Sequence, residues 1–152
     1  MLENPSIDYV MLANHVEAVN GLLYISGGGW TDHHRVIQPG SPPPVSHLGI
    51  AVSVRIPWTQ TNQPHRLTVR VEDEDAAVVV VRADAQLSVG RPANLPQGAE
   101  QHAVLGLSVE TTFPKASGYR VIAVLDDDLD TRTWAFRVHD VPAPLAVLPP
   151  AP

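Results

Sequence analysis

The stretch HLGIAVSVRIPW, from His47 to Trp58, sets the strongest constraint on the fold. Leu48, Ile50, Val52, Val54 and Ile56 fall on one side of a period-two repeat and Ser53 and Arg55 on the other. Pro57 ends the ladder because it has no N–H to donate.

The same alternation recurs along the chain. HRLTVRVEDED sets Leu67, Val69 and Val71 against Arg66, Thr68 and Arg70. Its acidic end reads as a turn before AAVVVVRADAQLSVG, so the two segments form a hairpin. HAVLGLSVETTF follows the proline-rich connection RPANLPQGAEQ, and YRVIAVLD and RTWAFRVHD flank the polar stretch Asp126 to Thr131 as another hairpin. Near the start, YVMLANHVEAVN (Tyr9 to Asn20) fits a strand or a helix period and is read as a strand. Asn20-Gly21 then signals a type I′ turn into Leu22 to Ser26.

About eight strands, with longer connections at 31–46 and 90–100, predict an all-β chain folded as an antiparallel two-sheet β-sandwich, immunoglobulin-like or C2-like. Long connections let strands cross between the sheets. Residues 1–140 are read as the β-sandwich domain. From Val141 onward, VPAPLAVLPPAP lacks the donors for a ladder and predicts a Pro-rich extended or disordered tail, residues 141–152. Its Leu145, Val147 and Leu148 are candidate contacts with the body or with a partner.

Composition narrows the function classes. A length of 152 residues suits one domain, which at this size buries roughly two-thirds of its unfolded surface. The absence of cysteine excludes disulfides, thiolate nucleophiles and Cys-based metal sites. A net charge of −6, with Lys115 the only lysine, gives no electrostatic footprint for nucleic acid or an anionic membrane. No basic n-region precedes an apolar run and no membrane-length apolar stretch occurs, so a cytoplasmic location is expected.

The segment GLLYISGGGWTDHH, residues 21–34, is the most unusual. A phosphate-binding loop needs a lysine and a Ser/Thr after its glycines and then a helix, whereas here Trp30, Thr31, Asp32, His33, His34 and a proline-rich run follow. The glycines are therefore read as a bulge or close backbone approach, with Trp30 covering the gap. Asp32, His33, His34 and His47 form the one local concentration of metal-ligand types, but adjacent strand residues face opposite ways, so one ion requires irregular backbone.

Asp126, Asp127, Asp128 and Asp130, like Glu72 to Asp75, could offer oxygens to calcium, yet they sit at hairpin tips, where Asp bonds its own backbone. Ser26, Ser46, Ser88 and Ser108 show no base within reach and no G-x-S-x-G is present. Among the aromatics, Trp58 alone is read as an exposed ring, a candidate sugar or partner contact.

ANHVEAVNGLLYISGGGWT, LGIAVSVRIPWTQTNQPHRLTVRVEDED, VGRPANLPQG and GYRVIAVLDDDLDTRTWAFRV together make the chain resemble a bacterial family of small β-sandwich proteins of unknown function, over about residues 7–140. Ala76 stands where that family usually has a hairpin glycine, and Leu22-Leu23 where a lysine is common. The resemblance implies the fold and a bacterial, cytoplasmic setting; it brings no activity or catalytic residue.

The expected function is a non-catalytic binding or assembly module without a cofactor. Its partner is another protein or a second copy, since an edge strand nearly free of lysine is poorly guarded. The alternatives are a calcium- or carbohydrate-binding module and, third, a His-dependent metalloenzyme built on Asp32, His33, His34 and His47.

Overall fold

The computed structural model describes residues 3–144; Leu145, Val147 and Leu148 lie outside them. Among the described residues nine strands run in chain order: β1 (Ser6–Val19), β2 (Leu22–Gly28), β3 (Asp32–Ile37), β4 (Ser46–Ile56), β5 (His65–Asp73), β6 (Val79–Leu87), β7 (Gln101–Thr111), β8 (Gly118–Leu125) and β9 (Asp130–Pro142). One sheet has the order β2-β1-β4-β7 and the other β3-β9-β8-β5-β6. The chain is an all-β two-sheet sandwich.

The core lies between the two inner faces. Leu48, Ile50, Val52, Val54 and Ile56 of β4 are fully buried against Leu67, Val69 and Val71 of β5 and Val121, Ala123 and Leu125 of β8. Each set is the apolar row of a period-two segment. One corner is aromatic: Phe113, Tyr119 and Phe136 have ring centroids 4.7 to 5.9 Å apart. The Tyr119 hydroxyl donates to the Lys115 carbonyl at 2.7 Å, fixing the β7–β8 connection much as a tyrosine corner does in Greek-key sandwiches.

The expected hairpins form, with β5 on β6 and β8 on β9 antiparallel throughout. Asn20 and Gly21 hold φ of 51° and 75°, the positive values of a type I′ turn, and join β1 to β2. Ala76, where glycine was expected from the resemblance, sits at φ 55°.

Three expectations are corrected. The connection 31–46 is not a loop throughout, because its first part is β3, which makes the strand count nine. β3 pairs parallel to β9, from Asp32↔Arg137 to Ile37↔Pro142, so the sandwich is not wholly antiparallel. That same pairing carries the last strand to Pro142, past the expected boundary at Asp140. Pro142 ends an outer ladder, where its missing N–H costs least.

The glycine stretch is the crossing from one sheet to the other. The register is constant from Val19↔Leu22 to Ala13↔Gly28, so it contains no bulge. Close approach is the reason instead: a Cβ on Gly27 would collide with the Asn14 side chain, and one on Gly28 would come within 2.9 Å of Met11 Sδ. Gly29 donates to the Leu12 carbonyl at 2.8 Å, and the chain then turns away through Trp30, whose ring packs edge-on against Phe136.

Candidate functional site

The outer half of the β1–β2 hairpin is seated in a way the sequence did not announce. β1 pairs with β4 only as far as Ala13↔Gly49; beyond that, residues 15–19 pair with β2 and lie across the outer face of β4 and β7. The floor beneath them is made of small residues. A Cβ on Gly49 would stand 3.0 Å from the Ala13 carbonyl oxygen, and one on Gly106 would stand 3.1 Å from the Ala18 nitrogen. Ser108 Oγ donates to the Val16 carbonyl at 3.0 Å and pins the strand to that floor. Val16, Ala13 and Ala51 are buried there, with Leu23 packed beside them.

Cross-strand partners share a face, so Val16, Ala18, Leu23 and Ile25 point toward the sheet while Glu17, Val19, Leu22 and Tyr24 point away. Next to the turn that row is apolar, with Leu22 60% exposed, Tyr24 56% and Val19 46%; Glu17, its neighbour His15 at 3.2 Å and Ser26 bound it on the far side. The sequence pattern of Leu22 to Ser26 is that of an ordinary strand after a turn. The signal was there in LLYI, four apolar residues directly after a turn, more than one buried face requires.

The Asp32/His candidates separate. β3 is a regular strand, so His33 and His34 project to opposite faces. His33 turns inward, its Nε2 2.9 Å from Ser46 Oγ and its ring against Trp30 and Phe113. Burial, then the Arg35 and His34 charges, hold its pKa below the ordinary histidine value. Ser46 thus has a base within reach, contrary to the sequence expectation; it is itself buried, and His33 has no described carboxylate partner to orient it. Both border a cleft of about 460 Å³ with Asn14, Trp30, Val45 and His47.

His34 faces outward and stacks on His139, at 4.7 Å between centroids. His139 Nε2 lies 2.7 Å from Asp32 Oδ1, and this contact, with the Thr31 hydroxyl, holds the Asp32 carboxyl below its usual range. His47 stacks instead on His15 across the sheet. Among the described residues no three His, Asp or Glu side chains are placed to hold one metal ion.

Two of the four carboxylates at the β8–β9 tip, Asp126 and Asp130, bind backbone N–H groups. Asp126, Asp127 and Asp128 all take positive φ, a left-handed turn. Asp126 accepts from the Arg66 N–H at 2.8 Å and lies 2.7 Å from Nδ1 of buried His65, while Asp130 accepts from the Ile7 N–H at 2.8 Å. Asp127 and Asp128 remain in solvent. Asp126→Ala is expected to cost about 2 kcal/mol by orphaning two donors, whereas millimolar calcium is expected to leave the melting temperature of the unaltered protein in place; thermal melts with and without calcium check both.

Of the Glu72 to Asp75 cluster, Glu72 takes Arg70 and Arg120, and Asp73 caps the Ala77 and Val78 N–H groups. Trp58, expected exposed, is half-buried in a short 3-10 turn, with the Arg91 guanidinium 4.3 Å over its ring. That cation occupies one face of the ring.

Residues 8–139 match DUF6941, a family of unknown function. The chain belongs to the DUF6941 family. The match covers the nine described strands in whole or part; the β1–β2 hairpin lies inside it, while the β3–β9 ladder crosses its end, since the pairs from Arg35↔Asp140 onward fall beyond residue 139. No curated protein matches the chain. Among the described residues, no helix is long and apolar enough to cross a membrane.

Proposed function

We propose that this chain is a non-catalytic binding and assembly module that holds a protein partner on its β1–β2 hairpin. One observation carries the reading: the outward row Val19, Leu22 and Tyr24 leaves adjacent large apolar side chains in solvent on a platform fixed to the sheet beneath. Single exposed apolar residues are ordinary, but a contiguous row on a rigid element costs solubility and marks contact surfaces. The acidic charge of −6 supports a protein rather than a nucleic acid as partner. The bacterial setting is taken from the family resemblance, and the cytoplasmic one from that resemblance together with the lack of a signal-like or membrane-length apolar run.

The test is a photo-reactive residue at position 22, irradiated in cells, with the same residue at exposed Asn94 as control. Protein adducts at position 22 well above those at position 94 are expected. Equal yields at the two positions would remove the basis for the reading.

A further inference from the structure

The sandwich has four outer strands: β2 and β7 in one sheet, β3 and β6 in the other. Natural sheets guard such edges with charge or proline. β3 carries Asp32, His34 and Arg35, β6 carries Arg82 and Asp84, and β7 carries His102 and Glu110. β2, LLYISGG, has no charged residue and no proline, and no other described strand lies along its free side. In a chain of net charge −6, that strip is where two copies can meet without bringing like charges together.

The backbone fixes how they would meet. A two-residue turn makes Val19 and Leu22 a hydrogen-bonded pair, and bonding alternates from there, so the N–H and C=O groups of Leu22, Tyr24 and Ser26 face β1. Those of Leu23 and Ile25 face the open edge. An antiparallel pair of β2 strands related by a twofold axis must bond through these outward residues. Centring the axis on Tyr24 sets Leu23 opposite Ile25, with both N–H···O bonds exchanged, Leu22 opposite Ser26, and Tyr24 opposite Tyr24 at the narrow non-bonded position. Centring it on Ile25 would set Leu23 opposite Gly27, whose φ of 61° takes it out of extended geometry.

We propose that the partner on the β1–β2 hairpin is a second copy of this chain, joined β2 to β2 antiparallel about Tyr24, so that two four-stranded sheets become one of eight strands. This rests on the hairpin being the binding surface and specifies its occupant. The apolar row of each copy continues into the other: the tyrosines stack across the axis, and Leu23 and Ile25 cover each other on the face toward the sheets.

The cysteine-free chain allows a direct test. Opposed residues at a non-hydrogen-bonded position have Cα atoms about 4.5 Å apart, within disulfide range. Tyr24→Cys is expected to cross-link to a covalent dimer on mild oxidation at least ~10-fold faster than Asn94→Cys, a difference of about 1.4 kcal/mol in barrier. Leu22→Cys mixed with Ser26→Cys is expected to give the mixed disulfide. Sedimentation velocity of the unaltered protein should show a monomer–dimer equilibrium between about 5 and 200 µM, since interfaces below ~1,200 Å² are typically transient.

Tyr24→Lys, with its fold checked by circular dichroism, is expected to be monomeric, because it sets two ammonium groups face to face. A monomer throughout that range, cross-linking of Tyr24→Cys no faster than the control, or a dimer that survives Tyr24→Lys would each overturn the proposal. Photo-adducts at position 22 to a different protein, alongside a monomer, would remove the second copy and leave the hairpin as the binding surface. With no adducts at position 22 above the control, both fall.

Discussion

Replacing Phe113 by alanine is expected to destabilise the fold by about 3–5 kcal/mol, the range for a fully buried aromatic. Phe113 follows the end of β7, fully buried, and its ring meets Tyr119 at 4.7 Å, Phe136 at 5.8 Å and His33 at 6.1 Å. Each edge-on aromatic contact adds about 0.5–1.5 kcal/mol beyond area burial. The cavity cannot close easily, since Tyr119 is tethered to Lys115 through its hydroxyl and Trp30 is fixed by the sheet crossing. In a domain of this length each kcal/mol moves the melting point by roughly 2–4 °C, so a fall of about 6–20 °C is expected. Val36→Ala, on the exposed side of β3, is the comparison and is expected to stay within about 0.5 kcal/mol. A loss below about 1 kcal/mol for Phe113→Ala, read by thermal and denaturant melts, would mean that the corner is looser than its geometry implies.

That corner was partly legible in the sequence. Tyr119 with Val121 and Trp134 with Phe136 are same-face pairs on alternating strands, a pattern that points to core filling, and all four pack on the core. Period two works wherever one face meets the core and the other meets water. It failed at β3 for a definite reason. Asp32, His33, His34 and Arg35 offer no apolar row, because the strand lies at the rim of the sheet, where its inward residues are a histidine and an arginine rather than aliphatics. Its partner β9 joins it from the far end of the chain, which no local pattern can reveal. His139, which completes the outward Asp32–His34 group, was invisible for the same reason.

The seat of the hairpin was legible in principle. Gly49, Ala51 and Ser53 occupy the outward row of β4, and Gly106 and Ser108 that of β7. Water-facing rows usually carry long polar side chains, so a row of small ones means that another backbone passes close by. The calcium idea drew on a count of carboxylates. What decides between calcium and a structural turn is where each carboxylate oxygen points, and Asp126 and Asp130 point back at the backbones of β5 and β1.

Arg35 is where the rim of the sandwich depends on a single charged side chain, 4% exposed. Its Nε donates to Asp140 Oδ1 at 2.6 Å and its Nη1 to the Phe113 carbonyl at 2.6 Å, tying β3 at once to β9 and to the β7–β8 connection. Removing one partner of a buried pair costs far more than the pair contributes net, because the other charge stays desolvated. Asp140 is part-exposed and can recover some water, so Arg35→Met is expected to cost about 2–4 kcal/mol, between the cost of an orphaned charge and that of a lost charge-assisted hydrogen bond. Arg35→Lys is expected to recover less than half of this, since one ammonium cannot reproduce a fork that reaches two acceptors in different directions. Hydrogen exchange locates the effect: amides of β3 should lose protection ahead of those of β4 and β8. Equal loss everywhere would mean that β3 is part of the cooperative core. Loss confined to β3 would mark it as a strand held on the sandwich chiefly by the Arg35 clamp, and its departure would leave the uncovered edge of β9 as a second place for a strand to add.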